Sequence, residues 1–343
     1  MQKLSVTLLS LLIAASLLLT GCGSAATQPA PASTEAPAAE AGAATDAPAV
    51  APADTLEGNI IISGAFALYP MMTRWAEEFQ KIHPNVTFDI SGGGAGKGMT
   101  DAVSGAVDIG MVSRSIKSEE EAQGAYGVAV VKDAVFPTVN ANNPVIDDIM
   151  AKGITQDTFI KIFITGEITT WGQVVGKPEI TDEIHVYTRS DACGAAEMWA
   201  KFTGDKKQED LLGVGVNADP GVLEAVIKDP LGIGYNNLGY AYDITNNAPV
   251  AGALVAPIDL NTNSQAEADE LFETMTEAMD AVATEKYPSP PARPLNVVTK
   301  GKPTGLTQTF ILWILTDGQQ FVGEAGYVQL PPEQLAESLA KVK

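Results

Sequence analysis

The chain predicts an α/β fold built on open, mainly parallel sheets. Three observations predict it. Short β-rich runs alternate with helical patterns from Asn59 onward. Glycine-rich turns stand where strand patterns give way to helix patterns, reading SGAFALYP (Ser63–Pro70), SGGGAGKGM (Ser91–Met99) and RSDACGAAEMW (Arg189–Trp199). The stretch from Leu56 to Lys343 is also long enough for two lobes with separate cores.

The elements follow in order. Asn59–Gly64 (NIIISG) reads as a strand and Leu68–Ile82 as a helix, with Leu68, Met71, Met72, Trp75, Phe79 and Ile82 on one face. Val86–Ser91 is a second strand, Gly96–Ser104 a short helix and Val107–Ser113 a third strand. Strand, helix, strand, helix, strand is the pattern of an open parallel sheet, in which ligands gather beyond the carboxyl ends of the strands. A second unit follows KDAVFPTVN (Lys132–Asn140). It holds helices at Gln156–Thr165, Ala192–Phe202 and Pro220–Ile227 and strands at Ile184–Arg189 and Gly232–Tyr235. Ala266–Tyr287 reads as one long amphipathic helix with Leu271, Phe272, Met275, Met279 and Val282 on a face. Pro288–Pro294 (PSPPARP) breaks it and marks a lobe crossing. A strand (Leu295–Thr299), a helix (Leu306–Thr316) and a last helix after Pro331-Pro332 complete the chain. The spacing predicts one lobe from 56–137 and 291–343 and another from 138–290.

The N-terminus is not fold. Lys3, the apolar run Leu4–Leu19 and then Leu19-Thr20-Gly21-Cys22 read as a lipoprotein signal peptide over residues 1–21, cleaved to leave a lipidated Cys22. A membrane-spanning anchor is the alternative. Residues 22–55 are almost entirely Ala, Pro, Thr, Glu, Gly and Asp without an aromatic, a tether reaching about 30 Å as a flexible coil. With Cys22 lipidated, Cys193 stands alone, so no internal disulfide is expected. His83 and His185 are the only histidines, too few for a zinc site with one thiol, and neither a metal nor a cofactor is expected. The formal charge of −21 repels nucleic acid and anionic lipid. It repels a small anion too, so an anion site must work through local geometry.

The three glycine-rich turns suit such a site. A helix N-terminus presents unpaired backbone N–H groups and a partial positive charge, and small residues let a ligand reach the backbone. SGGGAGKGM lacks the P-loop, because Ser91 and Gly98 stand where Gly and Ser/Thr are required, and lacks the dinucleotide fingerprint, because Lys97 replaces a glycine. It reads as a nest of amides with Lys97 adding field, or as a purely structural turn. In RSDACGAAEMW, Arg189 ends a strand, Asp191 stands at the helix N-cap position, and Cys193-Gly194-Ala195 presents free amides. Cys193 is also a candidate nucleophile, but Trp199 stands where a cysteine phosphatase needs arginine, and no acid orients His185. A small buried thiol is the alternative. Ser113 and Arg114 end the third strand; Arg114 faces the cleft or pairs with Glu119 or Glu120.

At these segments the chain resembles the phosphate-binding proteins that feed phosphate-specific ABC transporters. The likeness covers nearly all of Asn59–Lys343: SGAFALYP, GGGAGKGM, DIGMVSR (Asp108–Arg114), KDAVFPTVN, the run Ile162–Trp171, RSDACGAA, GIGY (Gly232–Tyr235) and AGYVQLP (Ala325–Pro331). The resemblance implies a type II periplasmic-binding-protein fold, two α/β lobes closing on a dehydrated oxyanion without catalysis. It implies a monomer outside the cytoplasm that serves ABC permease subunits. Carried over by position, ligand contacts fall on Ala67, Leu68, Ala95, Ser113, Arg189, Cys193, Gly194 and Ala195. Amides around Phe66–Leu68, Gly94–Lys97 (Gly94, Ala95, Gly96, Lys97) and Cys193–Ala195 are expected to surround the anion. The chain departs from the family where Ser or Thr is usual, at Ala67, Ala95, Cys193 and Ala195, and Ser113 matches a carboxylate that some members use to accept the ligand's proton. Another oxyanion, a small organic anion, or a sensing protein with a degenerate site are the alternatives. Asp133 and Asp191 are candidates for reading ligand protonation.

Overall fold

The computed structural model describes residues 56–343. Cys22, the signal peptide and the tether lie outside the described residues. Among the described residues no helix is long and apolar enough to cross a membrane.

The chain enters the first lobe through β1 (Gly58–Gly64), α1 (Tyr69–Ile82), β2 (Val86–Gly92), α2 (Gly94–Ser104), β3 (Ile109–Val112) and β4 (Ala125–Asp133). It then builds the second lobe from β5 (Val135–Asn140), β6 (His185–Arg189), α3 (Gly194–Phe202), β7 (Val214–Val216), α4 (Ala218–Lys228), β8 (Gly232–Asn237), β9 (Ala253–Val255) and α5 (Met275–Ala283). It returns through β10 (Arg293–Lys300), α6 (Gly305–Ile314) and α7 (Pro332–Val342). The first sheet has the order β2-β1-β3-β10-β4 and the second the order β9-β5-β8-β6-β7. β1 runs parallel to β2 and β3, and the returning β10 pairs antiparallel with β3 and β4. In the second sheet β6 is parallel to β7 and β8, whereas β5 is antiparallel to β8 and β9. Both sheets are therefore mixed, with parallel pairs where β1–β3 and β6 carry the glycine-rich turns.

Each sheet carries its own core. Trp75, Phe79 and Phe310 pack the first; the Trp75 indole N–H, which needs an acceptor when buried, donates to the Gly318 carbonyl at 2.9 Å. Trp171, Trp199, Tyr235, Phe136 and Phe163 pack the second, with Trp199 stacked on Tyr235 at 5.6 Å between centroids. The apolar face read for α1 is buried except at its last residue, Ile82, which is exposed.

Two expectations change. The boundary expected at 137/138 falls inside β5, because the strand joins the second sheet from Val135, opposite Asn237, directly after Asp133 has paired with Arg293 in the first. The crossing takes one buried residue, Ala134. The long helix expected over Ala266–Tyr287 shortens to Met275–Ala283. Upstream, the Glu270 carboxylate accepts from the amides of Leu260 and Glu267, so it holds a loop instead of a helix face. Thr274 then starts the helix by accepting from the Glu277 amide, while Glu277 accepts from the Thr274 amide.

Candidate functional site

The three turns meet along the seam between the lobes. The first is drawn in by Gly64, at φ +133°, where a Cβ would stand 2.3 Å from the Met111 carbonyl; only glycine permits this approach of β1 to β3. The Ala65 amide donates to the same carbonyl at 2.9 Å. The chain then forms one 3₁₀ turn, Phe66–Leu68. The Leu68 amide is used inside that turn, donating to Ala65, whereas the amides of Phe66 and Ala67 have no acceptor among the described residues. Tyr240 of the second lobe donates to the Phe66 carbonyl at 3.1 Å, and Tyr327 donates to that of Ala67 at 2.8 Å.

The second turn opens α2. A Cβ on Gly94 would stand 2.6 Å from the Ala192 carbonyl and 2.9 Å from an Asp191 oxygen, so this turn abuts the third turn of the other lobe. The amides of Gly94 and Ala95 have no acceptor among the described residues, but that of Gly96 crosses the seam to Ala192 at 3.1 Å. Lys97 is exposed, and its ammonium pairs with Asp101, which also accepts from Ser63 at 2.6 Å. Its charge is compensated beside the turn. Arg114 is likewise engaged. It grips Glu120 with two nitrogens at 2.8 and 2.6 Å, and its Nε lies 3.2 Å from Glu197 on α3. The Glu120 alternative is the one realised, with a link across the lobes added.

Ser113 is 2% exposed, and its carbonyl accepts from Arg293 at 3.1 Å. Its hydroxyl faces the N-terminus of α3: a Cβ on Gly194 would stand 2.4 Å from Oγ and 2.2 Å from the Ser113 carbonyl. No described residue hydrogen-bonds that hydroxyl, and the amides of Gly194 and Ala195 opposite it are without acceptors among the described residues.

The third turn departs from its expected capping. Cys193, not Asp191, is the N-cap of α3; its Sγ accepts from the Ala196 amide at 3.4 Å, and its amide donates to Gln208 at 3.0 Å. Asp191 is free for that reason to hold Arg189, accepting from Nε at 2.7 Å and Nη2 at 2.6 Å, and it also accepts from the Ala218 amide. Asp219 accepts from Nη1 at 2.5 Å. Burial opposes the guanidinium charge, but these carboxylates outweigh it and keep Arg189 protonated. Arg189 also lies 5.7 Å from the centre of the Phe66 ring, a cation–π contact between lobes.

Burial pushes the Cys193 thiol up to about 12, the opposite of what a thiolate nucleophile needs. His185 does have an acid, Asp229 at 2.7 Å, but the pair sits at the start of β6, and Arg189 and the turn leading to Cys193 follow its end. Among the described residues no cluster of His, Cys, Asp and Glu is arranged to hold a metal.

Several residues here were invisible to sequence reasoning. Asp219 also accepts from the amide and the side chain of Asn237, at 3.1 and 2.8 Å, and Arg293 bonds both Asn237 and Asp133. Arg189, Asp219, Asn237, Arg293 and Asp133 thus form one buried chain. Arg189 and Asp133 were named from sequence; for Asp219, Asn237 and Arg293 the one signal was an arginine opening the apolar strand after PSPPA. Burial raises the Asp133 carboxyl to about 6, against the pull of Arg293.

A PBP superfamily domain matches residues 36–318, most of the chain. The chain belongs to the PBP superfamily. It has the type II fold of that group. It is 29% identical to the phosphate-binding protein PstS of Methanocaldococcus jannaschii over 331 residues, which covers 80% of this chain and 84% of that one. It is 28% identical to PstS of Bacillus subtilis, covering 79% and 80%. A Clostridium perfringens protein solved with bound phosphate shares the fold with a TM-score of 0.65 at 24% identity, covering 80% of this chain and all of that one.

Proposed function

We propose that this superfamily member is a non-enzymatic solute-binding protein that captures inorganic phosphate outside the cytoplasm and hands it to an ABC permease. In this reading it acts as a monomer held to the membrane by a lipid on Cys22. The observation that carries the reading is the meeting of Ser113 Oγ with the open N-terminus of α3, beside a buried Arg189. The phosphate-binding names of its relatives support the same ligand.

The binding chemistry follows from donor counts. A guanidinium has five N–H groups; Asp191 and Asp219 occupy three, and two remain for an oxyanion. The amides of Phe66, Ala67, Gly94, Ala95, Gly194 and Ala195 supply further donors from both lobes. Ser113 donates or accepts one more bond. A ligand touching both lobes favours the closed form, in which Gly96–Ala192, Tyr240–Phe66 and Arg114–Glu197 also pair. Leu68 and Cys193 contribute shape, since their amides are used within the protein.

One observation favours a second reading, a different oxyanion or small organic anion. Alanine or cysteine stands at Ala67, Ala95, Cys193 and Ala195, and each missing hydrogen bond to a charged ligand removes about 1.5–3 kcal/mol. Calorimetric titration of residues 56–343 with phosphate, sulfate, molybdate and phosphonates separates the readings. Saturable phosphate binding at one ion per chain, tighter than sulfate, supports the proposal. Preference for another anion selects the second reading, and no saturable binding points to a sensing role.

A further inference from the structure

A cavity of about 800 Å³ opens on the seam beside the third turn, walled by both lobes. Gly96, Arg114 and Lys117 come from the first lobe; Ala192, Cys193 and the segment from Lys206 to Glu209 come from the second. Its size is that of a small-molecule pocket. Its charge is opposite to that of the molecule. On a chain of net charge −21, five cations line it, namely Arg114, Lys117, Lys201, Lys206 and Lys207. Glu197 and Glu209 are the acids in its wall.

Glu197 is already shared. Arg114 lies 3.2 Å from its carboxylate, Lys201 3.6 Å and Lys117 3.8 Å, so one negative charge serves three positive ones. Glu120 takes part of the Arg114 charge from outside the wall. Lys206 and Lys207 are exposed and have no ion pair among the described residues. Asp205 and Asp210 flank them in sequence but do not line the cavity, and the Asp210 carboxylate accepts from the Lys207 amide. A surplus of positive charge is concentrated in a concave site, where low-dielectric walls strengthen its field.

We infer that this cavity is a second anion site that takes a small multivalent phosphorylated anion of the oligophosphate class, separate from the site between Ser113 and Arg189. Several cations spread around a space of this size match several linked anionic groups better than one tetrahedral ion. The acidic remainder of the surface repels extended polyanions, so the occupant is small. Cys193 stands in the wall between the two sites, but the inner site keeps its own donors, because Arg114 is turned onto Glu120 and Glu197 and the four lysines are not among them.

The test titrates tripolyphosphate into the full chain by calorimetry, with and without saturating orthophosphate, at low and high salt. The expected result is one tripolyphosphate per chain in both cases, weakened by salt. In the Lys201→Ala, Lys206→Ala, Lys207→Ala triple variant its affinity falls at least tenfold, while orthophosphate affinity and melting temperature stay as in the parent. Absence of saturable tripolyphosphate binding, loss of that binding on adding orthophosphate, or equal affinity in parent and variant overturns the inference. Failure of orthophosphate itself to bind overturns the proposed function alone, because the tripolyphosphate titration is read without it.

Discussion

Asp133 and Arg293 form a buried ion pair, Oδ2 to Nη1 at 3.1 Å, at the place where the chain leaves the first lobe and where it returns. Asp133 ends β4, Arg293 opens β10, and the guanidinium reaches on to the Ser113 carbonyl and to Asn237. The crossing and the candidate anion site are therefore joined by side chains with almost no exposure.

Arg293→Met is expected to destabilise the protein by about 3–5 kcal/mol, because it leaves the Asp133 charge buried and unpaired. The sign of its pH dependence follows from burial. Asp133 has a folded value near 6, above its ordinary one, so its contribution is fully present below the ordinary value and is lost as pH rises through about 6. Removing the cation raises that value further, so a proton replaces the guanidinium in acid. Urea denaturation should show a larger loss at pH 8 than at pH 5; equal losses would mean that Asp133 is not the stranded charge.

Arg189→Lys keeps a positive charge but cannot hold Asp191 through two nitrogens while also meeting Asp219. Phosphate affinity should fall at least tenfold, which is about 1.4 kcal/mol. Arg189→Ala should also lower the melting temperature, since the buried Asp219 and the half-buried Asp191 lose their partner. Calorimetry together with thermal melting checks both, and unchanged affinity in the lysine variant would remove Arg189 from the site.

Gly194→Ala puts a methyl group 2.2 Å from the Ser113 carbonyl of the opposite lobe. The lobes cannot approach as closely, so phosphate binding should be lost while each lobe stays folded. Small-angle scattering should record no compaction on adding phosphate, in contrast to the parent. Compaction in the variant would show that closure does not bring these two positions together.

Ser113→Ala removes a buried hydroxyl that faces the open N-terminus of α3 and should cost about 0.5–1.5 kcal/mol of phosphate affinity with little change in melting. Ser113→Asp introduces a carboxylate that accepts a ligand proton and repels a fully ionised anion. It should raise the preference for phosphate over sulfate, measured by paired titrations; an unchanged ratio would place the hydroxyl away from the ligand.

Cys193 is the one cysteine among the described residues, and burial holds its thiol near 12. In residues 56–343 it should be inert to a thiol reagent at pH 8 and react stoichiometrically after denaturation. Rapid reaction in the native state would reopen the nucleophile reading.

Much of the architecture was legible because it is local. The period of apolar residues marked α1, and the turns after β1, β2 and β6 stood where glycine meets a helix start. The signal for α5 was also present, as the Thr274–Glu277 capping box, but the apolar stripe upstream of it concealed the loop held by Glu270. The lobe boundary was misplaced by about three residues, because a strand that changes sheets through one alanine leaves no mark in hydrophobic patterning.

The candidate site divides along the same line. Gly194 and Ala195 were read from their turn, and Ala67 and Ala95 from the family resemblance; the amides of Leu68, Gly96 and Cys193, expected beside them, are used within the protein. The Lys97–Asp101 and Arg114–Glu120 pairs are local, the second among the options read from sequence. Other partners of a charge depend on long-range packing: only the tertiary structure brought Glu197 to Arg114 and put Asp219 against Arg189 thirty positions earlier. Local chemistry thus specified the turns and the helix starts. The meeting of the turns, and the compensation of the buried guanidinium, came from two sheets brought together by a chain that crosses between them twice.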